Sequence, residues 1–313
     1  MNDKRPSSPV INPESPDDFG AKPLVVGIGE ILWDILPDGR QMGGAPANFA
    51  FHASSMGASG VIVSAVGEDE PGRAILAEMG RRGLDRSGVA VIRTAPTGAV
   101  TVSLDAEGIP RYVICEGAAW DVIPWTDGLR DLAARADAVC FGTLAQRSAV
   151  TRGTIGAFLD ATRPDCLRVL DLNLRRSSLS RDMVSRLLRR ATVLKLNDDE
   201  LRTVAAMFSL PGSETAALAG LLGSFALSMI ALTKGPSGSR FFGPGADRSH
   251  PGRPVEVRDT VGAGDAFTAA LVSGLLKKKS WDEIGDRANR VASYVCSRKG
   301  AWPELPPELA SWA

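Results

Sequence analysis

Apolar and polar positions along this chain fall into blocks whose period changes from two to near four. Pro23-Leu24-Val25-Val26-Gly27-Ile28-Gly29 is an apolar run ending in glycines and predicts a strand. Residues 47–57 predict a helix, with Pro46 near its first turn, where a missing N–H costs nothing. A β-branched strand is expected over 61–66, then a helix over 71–83 closed by Gly83. Residues 98–104 and 111–115 alternate as the two arms of a hairpin, with Asp105-Ala106-Glu107-Gly108 as the turn. From residue 127 the pattern becomes strand and helix in turn. Strands are expected at 138–142, 167–172, 192–196 and 229–233, and helices at 151–162, 182–191 and 198–207. Strands separated by helices predict an α/β fold, a doubly wound, mostly parallel sheet with helices on both faces. Ligands of such sheets sit outside the carboxyl ends of the strands. Polar residues follow those ends: Asp34, Asp171 and Asn173, Asn197 and Glu200, Lys234 and Gly235, Asp259 and Asp265. Residues 1–22, with Pro6, Pro9, Pro13 and Pro16 and little to bury, predict a disordered tail.

One stretch organises the rest: Asp259-Thr260-Val261-Gly262-Ala263-Gly264-Asp265-Ala266-Phe267. It follows a Val-bearing segment over 254–258. It opens a helix whose apolar face is Phe267, Ala270, Leu271, Gly274 and Leu275. The first N–H groups of a helix lack partners and attract anions, and glycines let the backbone come close. Asp265 inside such a pocket reads either as a cap or as a catalytic acceptor beside a phosphate cradle. A second Gly-Gly turn, Gly43-Gly44-Ala45-Pro46-Ala47-Asn48, also leads into a helix. Gly27-x-Gly29 lacks the third glycine of a dinucleotide fingerprint, because Leu32 stands there.

Composition narrows the field. Lysine plus arginine equals aspartate plus glutamate at 36 each in 313 residues, so no global field exists to hold nucleic acid or an anionic membrane. No run of eighteen apolar residues or signal peptide is visible, so a soluble, cytoplasmic protein is expected. The cysteines, Cys115, Cys140, Cys166 and Cys296, are dispersed and read as buried thiols; with only His52 and His250, zinc is not expected.

These motifs resemble the ribokinase-like (PfkB) family of sugar kinases, with the fructokinase branch nearest. The 259–267 stretch is similar to the family's second motif without a gap, and 43–48 to its first. Between them, in family order, come Asp171-Leu172-Asn173-Leu174-Arg175, Asn197-Asp198-Asp199-Glu200 and Thr233-Lys234-Gly235-Pro236-Ser237-Gly238. Arg298-Lys299-Gly300-Ala301 also fits.

The resemblance implies one kinase domain over 23–313 with a small β-sheet lid from about 30–42 and 97–116, which can pair into a homodimer. It implies transfer of a phosphoryl group from ATP to a sugar, D-fructose giving fructose 6-phosphate. Amides of Gly262, Ala263, Gly264 and Asp265 would form an anion hole, each donor contributing on the order of 2–4 kcal/mol. Asp265 would accept the sugar's proton. Asp34, Gly44, Asn48 and Arg175 would contact sugar; Asn197, Thr233, Gly235 and Gly238 would border the nucleotide. Asn197 and Glu200 would order hydrated Mg²⁺, and carbonyls of Asp259, Val261, Val295, Arg298 and Gly300 would hold K⁺. Plain readings stand beside these. Asp34 fits a turn, Asn48 a first-turn helix residue, Arg175 a solvated loop, and Asn197 with Glu200 a capping box. Trp120 fits either packing or ligand stacking. The acid that ribokinases carry after the mid-chain strand is missing from Phe141-Gly142-Thr143-Leu144-Ala145-Gln146, which argues against ribose. A kinase for another ketose or a sugar acid such as 2-keto-3-deoxygluconate, a kinase-fold binder without turnover, and a dinucleotide oxidoreductase are the rivals.

Overall fold

The computed structural model of the chain describes residues 21–36, 39–104, 110–174 and 180–312. The tail expected over 1–22 therefore lies outside the described residues except for Ala21 and Lys22, and so does Arg175. The chain begins with β1 (Leu24–Ile28), β2 (Leu32–Leu36), β3 (Gly39–Gly43) and α1 (Ala45–Ser55). Next come β4 (Ser59–Gly67), α2 (Glu70–Arg81), β5 (Val89–Ile92), β6 (Gly98–Leu104) and β7 (Pro110–Ile114). Alternation follows through α3 (Asp127–Arg135), β8 (Ala138–Phe141), α4 (Ala149–Ala161), β9 (Leu167–Asp171), α5 (Arg181–Arg190) and β10 (Val193–Asn197). The remainder is α6 (Asp198–Phe208), α7 (Glu214–Phe225), β11 (Met229–Thr233), β12 (Ser239–Gly243), β13 (Ala246–His250), α8 (Ala263–Leu276), α9 (Trp281–Cys296) and α10 (Pro307–Ala310).

Nine strands form one sheet in the order β13-β12-β11-β10-β9-β8-β1-β4-β5, parallel except for the β11–β12–β13 meander. From β1 the chain winds one way through β4 and β5, then crosses to β8 and winds the other way. The reversal leaves a crevice between the carboxyl ends of β1 and β8. Period-two alternation serves two cores. Val26, Ile28, Leu170, Leu194, Leu196, Ile230 and Leu232 pack on one face with residues of α3 to α7. Val25, Val169, Val193, Met229 and Ala231 pack on the other with α1, α2, α8 and α9. Asp171 and Lys195 alternate onto this second face.

The expected hairpin joins β2 and β3 in a separate four-stranded sheet, β3-β2-β6-β7. Its register sets two faces. Ile35, Thr101 and Val113 are successive partners and share the outer one, with Val113 61% exposed. Asp34 pairs with Gln41 and Val100 and lies on the inner one, so a slip of one residue would turn it outward.

The Val-bearing segment over 254–258 joins no strand among the described residues, and its Val255 and Val257 are exposed. One expectation changes and one open reading closes. Cys115 is exposed, whereas Cys140 and Cys166 are buried as expected. Trp120 is fully buried, so it packs rather than stacking on a ligand. The margin strand β13 is nearly all polar; its Asp247 takes a two-pronged bond from Arg240 of β12.

His52 of α1 sits wholly inside, and its Nε2–H donates to Ala301 O at 2.8 Å. A carbonyl can only accept, so Nε2 carries the proton of a neutral ring. Burial pushes the imidazole down to about 4, with the Ala301 bond opposing. The unfolded chain takes up this proton near the ordinary value of 6.5 while the folded chain refuses it until about 4. The His52 contribution should be intact above that upper value and lost as pH falls through the window, on the order of 3 kcal/mol in all. Urea unfolding at neutral pH and near the lower value checks this, and His52→Gln should flatten the dependence. An unchanged dependence in the variant would assign the acid sensitivity to other groups.

Candidate active site

Helix α8 begins without a side-chain cap. Gly262 holds the N-cap position at φ 77°, and a β-carbon there would stand 2.7 Å from Ala301 Cβ. No L-residue fits that conformation and that contact without strain. The positive helix end therefore carries no side-chain cap. Asp265 stands in the first turn and is 8% exposed, so it is not the cap.

Its carboxylate is instead held from α1. Asn48 Nδ2 donates to Asp265 Oδ2 at 2.8 Å. Asn48 Oδ1 in turn accepts from Trp302 Nε1 at 2.7 Å. Asn48 is thus not a first-turn residue serving backbone groups; its amide is committed at both ends to side chains far away in sequence. Bonds to a charged acceptor of this kind contribute about 1.5–3 kcal/mol.

Beneath α8 lies a buried charge cluster in which Asp171, already marked at its strand end, meets two residues that no motif marked, Lys195 and Thr268. Lys195 Nζ is 3.0 Å from Asp171 Oδ1, and Thr268 Oγ1 donates to Asp171 Oδ2 at 2.9 Å. A β-carbon on Gly264 would come within 3.0 Å of the Lys195 ammonium, so the missing side chain makes room for that cation. Burial works against the charge on Lys195, yet Asp171, Glu200 and Asp265 outweigh it and hold the group above the ordinary lysine range. The same burial, with Asp171 and Asp265 nearby, pushes the Cys140 thiol well up, so it stays protonated. One signal was available: a lysine in the middle of Val193-Leu194-Lys195-Leu196, a run otherwise fit for a core.

At the strand reversal an enclosed recess is lined by Glu30, Pro46, Gly142, Thr143, Asp171 and Asn173. Glu30 follows β1 and its Oε1 accepts from Ala45 N at 3.3 Å. Asn173 has φ 38°, an uncommon backbone state held by Thr143 Oγ1 donating to its carbonyl at 3.2 Å. Gly44, at φ 108°, packs so tightly that a β-carbon would fall 2.4 Å from Glu30 O. Its neighbour Gly43 would meet Asp34 Oδ2 at 2.2 Å. Asp34 is therefore a strand residue seated on a glycine, not a turn aspartate.

Asn197 and Glu200 form the expected capping box on α6. Glu200 N donates to Asn197 Oδ1 at 2.9 Å and Asn197 N to Glu200 Oε2 at 2.8 Å. Glu200 Oε1 also accepts from Leu174 N at 2.8 Å. Each carboxylate oxygen already serves a backbone donor and keeps one lone pair. That fits an ion reached through water and not a direct cage; among the described residues no group of three or more His, Cys, Asp or Glu could hold a metal. Burial raises the Glu200 pKa, with Lys195 opposing. Thr233 ends β11, two residues before Gly235 at φ 52°. Gly238, at φ 96°, allows His250 O to approach where a β-carbon would be 2.0 Å away. Asp259 bridges two segments: Oδ1 accepts from Val261 N and Oδ2 from Gly300 N, both at 3.0 Å. Val295 O is taken by Arg298 N at 3.0 Å, leaving one lone pair.

Comparison with known proteins adds to this geometry. Residues 38–307 match the profile described as pfkB family carbohydrate kinase. The chain is 29% identical over 298 residues to an uncharacterized sugar kinase, PH1459, of Pyrococcus horikoshii, covering 89% of this chain and 92% of that one. It is 28% identical to a fructokinase of Klebsiella pneumoniae, with 89% and 95% covered. The structure of PH1459 in complex with ATP superposes with a TM-score of 0.76 at 27% identity, covering 89% and 94%. Fructokinase of Xylella fastidiosa with bound ATP gives 0.81 at 20% identity, covering 90% and 95%.

Removing the Lys195 ammonium alone leaves Asp171 buried beside Asp265 without a cation. Lys195→Met should therefore lower stability by about 3–5 kcal/mol in urea unfolding. The pair Lys195→Met with Asp171→Leu should recover the larger part, since the buried charge is then gone. Equal losses in the single and double variants would mean that the pair is not the source of the effect.

Proposed function

This chain belongs to the pfkB family of carbohydrate kinases, and from that premise we propose that it moves the γ-phosphoryl group of ATP to the 6-hydroxyl of D-fructose. The observation that carries the reading is Asp265, buried in the first turn of an uncapped helix and oriented by Asn48. The relatives named fructokinase support the choice of sugar.

In this reading the Gly262, Ala263, Gly264 and Asp265 amides receive the phosphoryl oxygens as they leave ADP. The Ala263 N–H leans on Thr260 O at only 3.3 Å, a long bond that an incoming oxygen replaces. The Lys195 ammonium behind Gly264 adds positive charge below that cradle. Asp265 accepts the hydroxyl proton. The Asn48 donor and the helix N-terminus hold the carboxylate in place more than they sharpen it as a base. A loose transition state tolerates this, because the proton leaves late and alignment of the nucleophile matters more than base strength.

Asp34, Gly44 and Asn48 hold the sugar; Arg175 is assigned there by motif alone. Thr233, Gly235, Gly238 and Asn197 border the nucleotide. Mg²⁺ arrives with ATP, and through its waters Asn197 and Glu200 steady it while it neutralises phosphate charge. The carbonyls of Asp259, Val261, Val295, Arg298 and Gly300 provide an oxygen set suited to K⁺, with Asp259 tying two of its segments together. Residues 23–313 act as one kinase unit, and its four-stranded sheet is the lid. Closing it would bring Asp34 onto the sugar and exclude water. The outer row of Ile35, Thr101 and Val113 supports pairing of two lids in a homodimer. We place the enzyme in the cytoplasm, in keeping with four free thiols and no helix, among the described residues, long and apolar enough to cross a membrane.

An ADP-release assay over fructose, other ketoses, ribose and 2-keto-3-deoxygluconate tests the substrate. Fructose should give the highest kcat/KM; a higher value for the sugar acid would overturn the choice. Asp265→Asn should lose at least about a thousandfold in kcat, equivalent to roughly 4 kcal/mol, with ATP affinity retained. Wild-type turnover in that variant would remove Asp265 from the chemistry.

A further inference from the structure

Trp302 stands outside every motif named above, yet one hydrogen bond connects it to the proposed chemistry. A side-chain amide has one accepting end and one donating end. Asn48 uses the first for the Trp302 indole N–H at 2.7 Å and the second for Asp265 at 2.8 Å. An indole N–H can only donate, and an ionised carboxylate can only accept. The Asn48 amide therefore has a single satisfied orientation. Turned over, it would set NH₂ against N–H and oxygen against carboxylate.

The tryptophan is itself fixed on several sides. Its ring stacks on Phe51 at 4.6 Å and 6°. Arg82 Nη1 donates to its carbonyl at 3.0 Å, and His52 Nε2 holds the preceding carbonyl, that of Ala301. Asn48, Phe51 and His52 fall at i, i+3 and i+4 on α1, so one helix face grips the 301–302 strap. The same strap packs against Gly262, the N-cap of α8.

We propose that Trp302 is a positioning residue for phosphoryl transfer. Through Asn48 it locks the donor that aims the Asp265 carboxylate at the attacking hydroxyl. The inference rests on the reading of Asp265 given above. A ring that served packing alone would need neither its N–H nor the alignment with Asn48.

The test uses the full chain. Trp302→Phe keeps an aromatic ring on Phe51 and removes the N–H. With active sites counted by ADP titration, kcat should fall roughly ten- to a hundredfold while KM for ATP stays within about twofold. Asn48→Ala should show a fall at least as large. The double variant should be no slower than Asn48→Ala alone, because Trp302 acts only through that amide. Losses that multiply in the double variant, or wild-type kcat in Trp302→Phe, would overturn the proposal. Where Trp302→Phe does not fold, benzothienylalanine at 302, which replaces N–H by sulfur in the same bicyclic ring, makes the same comparison. Asp265→Asn run alongside separates the two ideas. If it keeps turnover, the Asp265 reading fails; if it is inactive while the 302 variants are normal, only the Trp302 proposal fails.

Discussion

A carboxylate kept from water must be met by donors or give up its charge, and the centre of this fold is arranged to meet several at once. Asp265 takes its donor from α1, 217 residues earlier in the chain. Asp171 takes Lys195 from the next strand and Thr268 from α8. Glu200 takes backbone amides from its own cap and from Leu174. Three carboxylates and one ammonium thus share a small, largely dry volume, where each depends on the geometry of the others. The second core, built from α1, α8 and α9 against one face of the sheet, keeps those partners in reach.

Local signals in the chain announced the parts that are local. The helix start at Gly262, the Gly43-Gly44 turn, the capping box of Asn197 and Glu200 and the central strands each depend on a few adjacent residues, so their spacing is visible in one dimension. The α/β class followed from the alternation of such blocks. Short or polar strands escaped: β5 has four residues, and β13 carries Asp247, Arg248 and Ser249 with no apolar rhythm. The segment 254–258 has the valines of a strand but joins none among the described residues; its Arg258 N donates to Cys296 O at the end of α9 instead.

The site was legible to the same degree. Asp265 and Asn48 could be named from motifs, but not that they bond to each other. Trp302 and Lys195 gain their meaning only from pairings that the winding of the sheet creates. For Lys195 a charged residue in an apolar run was a visible oddity. For Trp302 no pattern distinguished it from an ordinary buried indole. The two readings left open for Asn197 and Glu200 remain compatible, since a carboxylate oxygen bound to one amide still has a lone pair for a water.

The two-stranded addition at the far margin of the large sheet has a consequence for life in a crowded solution. Parallel sheets end in rows of unmatched amides and carbonyls, which are templates for joining molecule to molecule. Here the chain doubles back twice and finishes the row with β13, whose exposed middle is aspartate, arginine and serine. Any copy approaching that flank must strip water from fixed charges, one of them already clasped by Arg240. The flank therefore acts as a terminator, discouraging growth of the sheet into fibrils at this side.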